Sequence, residues 1–203
     1  PIQDNGLSVL ALNGELFDLP ARKRDPAMSD SQALGDLLAC RGTEALPKLR
    51  GLFAFCWFDG HRILLARDRF GIKPLYYSSR GGGLAFASEM KALLALPGVS
   101  RSPDTDVLSA CETVGHNVFL GRTPFREISS VMPGHAAEAV SGHAVRQWRF
   151  AAIPPVPAPG GGSRIQADEL SFQVERLIQG SVRRSMGHDP NKKALFLSGD
   201  RKS

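Results

Sequence analysis

The sequence predicts an α+β fold in which antiparallel strands form the core and helices lie outside them. Between Arg50 and Leu96, four short apolar runs alternate with strong turn signals, a pattern typical of antiparallel strands. Two segments outside this region, 31–40 and 165–186, carry apolar residues at helical spacing. A stretch rich in proline and glycine, 156–163, separates the strands from the second helix and indicates a linker.

The elements before Arg50 are one strand and one helix. Leu7–Leu12 is an apolar run of strand length, and Gly14 after it allows a sharp bend of the backbone. Ser31–Cys40 has one apolar face at helical spacing, and Asp30 directly before it could be an ordinary N-cap. We therefore expect a strand, a turn and a capped helix in this order.

The region from Arg50 to Leu96 is predicted to be a four-stranded meander that closes on a short helix. Asp59-Gly60 is a hairpin signal, and Ser88 is expected to cap a helix over Glu89–Leu96. The four predicted strands are Leu52–Phe58, His61–Ala66, Lys73–Tyr77 and Leu84–Ala87.

The later elements predict the start of a second domain. A modest helix over Asp104–Cys111 and a strand over Ile128–Met132 precede the linker. Beyond it, the amphipathic helix 165–186 leads to a short strand, Lys193–Leu197, and then to a turn. Turns at the carboxyl ends of strands are where open α/β sheets place phosphate groups. The expected boundaries are 1–155 for the first domain, 156–163 for the linker and 164–203 for the second domain.

Composition excludes several classes of function. The chain has 203 residues and lacks an apolar run approaching the roughly 18 residues of a membrane span, so we expect a cytoplasmic protein with no membrane partner. The net charge of +5 is scattered, which argues against nucleic-acid binding. Cys40, Cys56 and Cys111 lack metal-ligand or disulfide spacing, and the histidines form no HExxH motif, so no metal site is expected.

One short motif admits two interpretations. Asn13-Gly14-Glu15 follows a strand and could be an ordinary hairpin turn. Alternatively, an Asn side chain and exposed backbone groups at a strand end could bind an amide and a developing oxyanion. Taken alone, the tripeptide is a weak signal for a binding site, and the residues favour the turn.

Three stretches identify a family resemblance. Gly51–Phe55, Ala66–Tyr77 and Phe86–Leu93 closely resemble the glutaminase domain of the glutamine-dependent asparagine synthetases. The resemblance runs from about residue 5 to residue 199, and its Arg-Asp-x-x-Gly-x-x-Pro-Leu core, 67–75, is shared among class II glutamine amidotransferases. The later Thr-Pro-Phe, Pro-Gly-His and Gln-Trp segments, which resemble the end of that glutaminase domain, narrow the choice to asparagine synthetases.

The resemblance implies a fold and a set of site residues. The fold is the αββα sandwich of N-terminal-nucleophile amidotransferases, two antiparallel sheets packed face to face, followed by a stub of an α/β nucleotide-binding domain. In the family, residues matching Asn13 and Gly14 stabilise the oxyanion, and the residue matching Asp30 holds the α-amino group of glutamine. The implied glutamine pocket consists of Asn13, Gly14, Glu15 and Asp30. The implied ATP-binding residues are Leu197, Ser198 and Gly199.

The resemblance also implies a two-step reaction. Glutamine is hydrolysed through a cysteinyl thioester, and the ammonia is transferred to a β-aspartyl-adenylate made from aspartate and Mg-ATP, which gives asparagine. Relatives that close β-lactam or lasso-peptide rings by adenylation, and a non-catalytic glutaminase-like interaction module, are the alternatives. A homodimer is left open.

Departures from the family predict that this chain alone is inactive. The N-terminal nucleophilic cysteine and the upstream arginine that binds the glutamine carboxylate are absent, and 17–28 is short and interrupted by prolines. Asp200 and Lys202 stand where the phosphate loop has Gly and Asp, so ATP with Mg is not expected to bind well. We therefore expect a fragment or a frameshifted reading of a longer protein.

Overall fold

A computed structural model describes most of the chain, which divides into two units, Pro1–Pro154 and Pro155–Ser203. The segments expected to form the linker and the phosphate loop, including Leu197, Ser198 and Gly199, lie outside the described residues. Among the described helices, none is both long and apolar enough to cross a membrane. The described residues are 2–4, 6, 8–18, 28–80, 83–116, 119–141, 143–153 and 167–185.

The strands described in the first unit form two antiparallel sheets. The larger sheet consists of β1 (Ile2–Asp4), β2 (Val9–Asp18), β3 (Arg50–Phe58), β4 (Arg62–Arg67), β8 (His135–Val140) and β9 (Arg146–Arg149), in that spatial order. The smaller sheet has the order β6-β5-β7 and consists of β5 (Tyr76–Arg80), β6 (Gly83–Ala87) and β7 (Ser129–Ser130).

Helices accompany both sheets. The first unit contains α1 (Asp30–Arg41), a 3-10 helix (Gly42–Lys48), α2 (Met90–Leu94) and α3 (Thr105–Val114). The second unit contains α4 (Ala167–Ser185), which lies within the predicted segment 165–186. The α3 helix is capped by Asp104, whose side chain accepts a hydrogen bond from the backbone N–H of Val107, so the predicted start of this helix is confirmed.

Two apolar clusters show how the first unit is layered. The first joins one face of the larger sheet to α1 and the 3-10 helix, and its members include Leu34, Leu38 and Leu46 of the helices and Phe53 and Phe55 of the sheet. The second lies between the two sheets and contains Ala54, Cys56, Leu65, Leu75, Val131 and Ala137. Helix α2 contacts β5 and β6 of the smaller sheet. These layers confirm the predicted αββα sandwich.

The predicted single meander is wrong, because its strands belong to two sheets. The β3–β4 hairpin lies in the larger sheet and the β5–β6 hairpin in the smaller one. The strand predicted over Lys73–Tyr77 corresponds to β5, which begins only at Tyr76 and continues to Arg80. The backbone of Lys73 is bound by neighbouring side chains, its N–H donating to Asp68 and its carbonyl accepting from Arg67, while Pro74 has no N–H to pair.

Three further boundaries differ from the predictions. Strand β2 does not end at Leu12 but continues through Asn13-Gly14-Glu15, so the predicted bend at Gly14 is wrong. The N-cap of α1 is Ser29 rather than Asp30. Strand β7 is only two residues long, where Ile128–Met132 was predicted.

Candidate functional site

Strand β2 carries three of the four residues of the predicted glutamine pocket, Asn13, Gly14 and Glu15. Leu12 and Leu16 on this strand belong to the cluster beneath α1, so by the alternation of a strand the side chains of Asn13 and Glu15 lie on the opposite face. Both side chains are exposed. A hairpin turn is therefore the wrong interpretation, and two polar side chains lie accessible on one face of a strand.

Gly14 allows β2 and β3 to approach closely at this point. Its φ is +132°, and a Cβ built on it would overlap the carbonyl oxygen of Leu52 on β3. Gly51 has the reciprocal position, because a Cβ there would overlap the carbonyl oxygen of Glu15. Glycine at both places is thus required by contact between backbones, which gives Gly14 a structural reason independent of any ligand.

Asp30 connects helix α1 to strand β2 at Leu16. Its Oδ2 atom accepts a hydrogen bond of 2.8 Å from the backbone N–H of Leu16. The helix start is secured separately by a capping box between Ser29 and Gln32, in which each side chain binds the backbone N–H of the other residue. Asp30 therefore binds the backbone of β2 directly after Asn13-Gly14-Glu15, from the side of α1, and is not needed as the cap.

A serine that the sequence did not single out as a site residue contacts Asn13 from the other sheet. The Nδ2 atom of Asn13 donates a hydrogen bond of 3.2 Å to the hydroxyl oxygen of Ser88. Ser88 follows β6, and α2 is instead preceded by Glu89, whose side chain makes no capping bond. The prediction of Ser88 as a helix cap is therefore wrong, although its place within the family-like segment Phe86–Leu93 could have marked it.

The side chains of the Arg67-Asp68 pair, which belongs to the motif of the family resemblance, form hydrogen bonds with the backbone of neighbouring loops. Asp68 is fully buried, and its carboxylate accepts hydrogen bonds from the backbone N–H groups of Phe70, Ile72 and Lys73 at 3.0, 3.1 and 3.0 Å. Its backbone N–H donates to the carbonyl of Phe53 on β3. The Asp68 carboxylate thus shapes the loop that leads from one sheet to the other.

The guanidinium group of Arg67 also stabilises this loop. It donates to the carbonyls of Gly71 and Lys73 at 2.7 Å each and to that of Val131 at 3.0 Å. Burial lowers the pKa of Arg67 below its usual value. These contacts show that Arg67 and Asp68 stabilise the loop between the two sheets. The candidate site therefore consists of residues of β2 together with Asp30 and Ser88.

Comparison with known proteins identifies the family. The family model described as a glutamine amidotransferase domain matches residues 1–150. The chain belongs to the glutamine amidotransferase family. The chain is 31% identical over 197 residues to asparagine synthetase (glutamine-hydrolyzing) 3 of Bacillus subtilis, covering 92% of this chain and 31% of that protein.

Two other relatives match shorter parts of this amidotransferase. It is 36% identical over 143 residues to amidase chyE of Penicillium rubens, covering 66% of this chain and 20% of that protein. It is 38% identical over 96 residues to asparagine synthetase B (glutamine-hydrolyzing) of Escherichia coli, covering 42% of this chain and 17% of that protein. The chain spans about a third or less of the length of each of these relatives.

The three cysteines of the amidotransferase unit differ in their exposure. Cys56 is buried between the two sheets, and burial raises the pKa of its thiol to about 12. Cys40 is exposed on α1 and Cys111 is half-buried on α3. Cys40, Cys56 and Cys111 all lie within helices or strands.

A second group of charges in the amidotransferase unit binds its loops together. Arg122 donates from Nε and Nη2 to the two carboxylate oxygens of Asp104 at 2.9 and 2.6 Å, and its Nη2 also donates to Asp106 at 3.0 Å. The buried hydroxyl of Thr123 donates its one hydrogen to the carbonyl of Ile128 at 2.7 Å, and the carbonyl oxygen of Phe125 lies 3.0 Å from the same hydroxyl oxygen. These contacts connect the start of α3 to the loop before β7 and need no ligand.

Proposed function

We propose that this chain is the glutaminase part of a glutamine-dependent asparagine synthetase. The observation that carries the proposal is the hydrogen bond from the backbone N–H of Leu16 to Asp30, which brings that carboxylate to the middle of β2, two residues after the Asn13-Gly14 pair. In this proposal Asn13, Gly14, Glu15 and Asp30 line the glutamine pocket.

Each residue has a role that suits its chemistry. The Asn13 carboxamide nitrogen and a backbone N–H at Gly14 would donate hydrogen bonds to the oxyanion formed when the glutamine amide is attacked. The Asp30 carboxylate would attract the positively charged α-amino group of glutamine. Attack requires a thiolate, which by the resemblance is an N-terminal cysteine whose own amine serves as base.

The second half of the proposed reaction lies beyond the amidotransferase unit. Relatives named as glutamine-hydrolyzing asparagine synthetases support a synthetase in which ammonia from glutamine amidates aspartate at the expense of ATP. Leu197, Ser198 and Gly199 are the positions proposed for ATP, and Mg²⁺ would accompany the nucleotide. A cytoplasmic location stays a prediction.

The decisive experiment characterises the full-length protein that contains these 203 residues. Its N-terminal residue is determined by mass spectrometry, and glutamate release from glutamine is measured with and without aspartate and Mg-ATP. An N-terminal cysteine, glutamate release and asparagine formation are the expected results. Glutamate release without asparagine would reject the synthetase half, and no release at all would reject the glutaminase half.

A further inference from the structure

The contact between Asn13 and Ser88 connects the two sheets at the candidate site. Asn13 lies on β2 of the larger sheet, where it is paired with Ala54, a residue of the cluster between the sheets. Ser88 lies directly after β6 of the smaller sheet, 75 residues further along the chain. The hydrogen bond is thus a tertiary contact at the sheet–sheet side of β2, on the face that holds the exposed Asn13 and Glu15.

The contact determines how the Asn13 carboxamide is oriented. An exposed asparagine side chain has several χ1 rotamers and a broadly variable χ2 angle, so it has no preferred direction unless a partner holds it. In this structure the nitrogen atom of the carboxamide, and not its oxygen, faces Ser88. An amide nitrogen carries two hydrogens that point in different directions, so one hydrogen is donated to Ser88 and the second is directed elsewhere.

We propose that Ser88 is a positioning residue that orients the Asn13 carboxamide so that its second N–H can donate to the oxyanion. This inference rests on the proposed glutaminase function and adds a residue to it. Ser88 does not touch the substrate in this scheme. Its half-buried hydroxyl accepts one hydrogen of Asn13 and thereby presents the other, which is the preorganisation that stabilises charge appearing only in the transition state.

The test uses glutamine hydrolysis by the full-length protein and a double-mutant cycle. Ser88→Ala removes the acceptor, and we expect a fall of about tenfold in kcat with little change in the KM for glutamine, because the oxyanion is absent from the ground state. Ser88→Thr keeps a hydroxyl and should restore most of the activity. Asn13→Ala should lower kcat by about a hundredfold.

The cycle separates positioning from a general structural role. If Ser88 acts through Asn13, then Ser88→Ala causes no further loss of kcat in the Asn13→Ala background, whereas a structural defect would lower kcat equally in both backgrounds. Thermal unfolding of each variant is measured alongside. If Ser88→Ala does not fold, Ser88→Cys, which keeps the size but is a weak acceptor, takes its place with the same expectation.

The outcomes distinguish the inference from the function on which it rests. A wild-type protein that does not hydrolyse glutamine rejects the proposed function and the inference together. A wild-type protein that does hydrolyse glutamine, combined with an unchanged kcat in Ser88→Ala, a raised KM alone, or an equal loss in the Asn13→Ala background, overturns the inference and leaves the function standing.

Discussion

Replacement of Asp68 tests whether the family's Arg-Asp motif serves folding rather than chemistry. Asp68→Ala leaves three part-buried backbone N–H groups, at Phe70, Ile72 and Lys73, without their acceptor. A buried donor left unpaired costs about 1–3 kcal/mol. Since water can reach part of the loop, we expect a loss of about 4 kcal/mol in the free energy of unfolding, a large share of the roughly 5–15 kcal/mol of a typical domain.

Asp68→Asn tests the same assignment with a smaller expected loss of stability, because it removes only one of the three hydrogen bonds. The Oδ1 atom accepts from both Phe70 and Ile72, and an asparagine can keep its oxygen there. Its NH₂ group would then face the N–H of Lys73, so one bond of three is lost and two donors oppose each other. We expect a loss of about 2 kcal/mol, half that of the alanine variant.

The assay is urea unfolding of the chain followed by tryptophan fluorescence. Asp36→Asn, at an exposed position on α1, is the matched control and should change the free energy of unfolding by less than about 0.5 kcal/mol. Equal stability of Asp68→Ala and the control, or a larger loss for Asp68→Asn than for Asp68→Ala, would refute the assignment of the carboxylate to the three N–H groups.

Three other perturbations have expected outcomes. Gly14→Ala should lower the free energy of unfolding in urea by about 3 kcal/mol, because the new Cβ overlaps the Leu52 carbonyl. Gly98→Ala, with φ +86° and open space around it, should lower it by only about 1 kcal/mol through backbone strain. Equal losses would contradict the close approach of β2 and β3. The Arg122 hydrogen bond holds the pKa of Asp104 below its usual value. The stabilising effect of this interaction is therefore present at neutral pH and is lost as the pH falls from the ordinary aspartate pKa of about 3.9 through the lower pKa of the folded state. Asp104→Asn should flatten the acid side of a curve of stability against pH, and an unchanged curve would contradict this. Because burial raises the pKa of Cys56 to about 12, a disulfide reagent at pH 8 should modify Cys40 readily and Cys56 only after denaturation, which mass mapping of the labelled peptides would check.

Much of the fold could be predicted from local patterns, and the errors have physical causes. Strands β3 and β4 were predicted correctly because their apolar runs are fully covered by two layers. Strand β8 was missed because its sequence, His135–Val140, is rich in alanine and carries little strand propensity of its own. It forms a strand since it is paired on both sides, by β4 and by β9.

The candidate site was only partly visible in the sequence. Asn13-Gly14 looked like a turn because turns and glycine-bearing strands share the same residues, and only the approach of β3 distinguishes them. The contacts of Asp30 with Leu16 and of Ser88 with Asn13 depend on tertiary packing that no short-range pattern encodes. The resemblance to a family supplied the roles of Asn13 and Asp30, which stay predictions.

The strand order of the larger sheet has a consequence for biosynthesis. Strand β4 leaves the ribosome well before its partner β8, and the whole smaller sheet with α2 and α3 is made between them. Until His135–Val140 emerges, the apolar edge of β4 has no hydrogen-bonding neighbour, and such edges pair readily with other chains. Nascent chains halted before this point should therefore depend on chaperones, while those halted after β9 can complete the larger sheet by themselves.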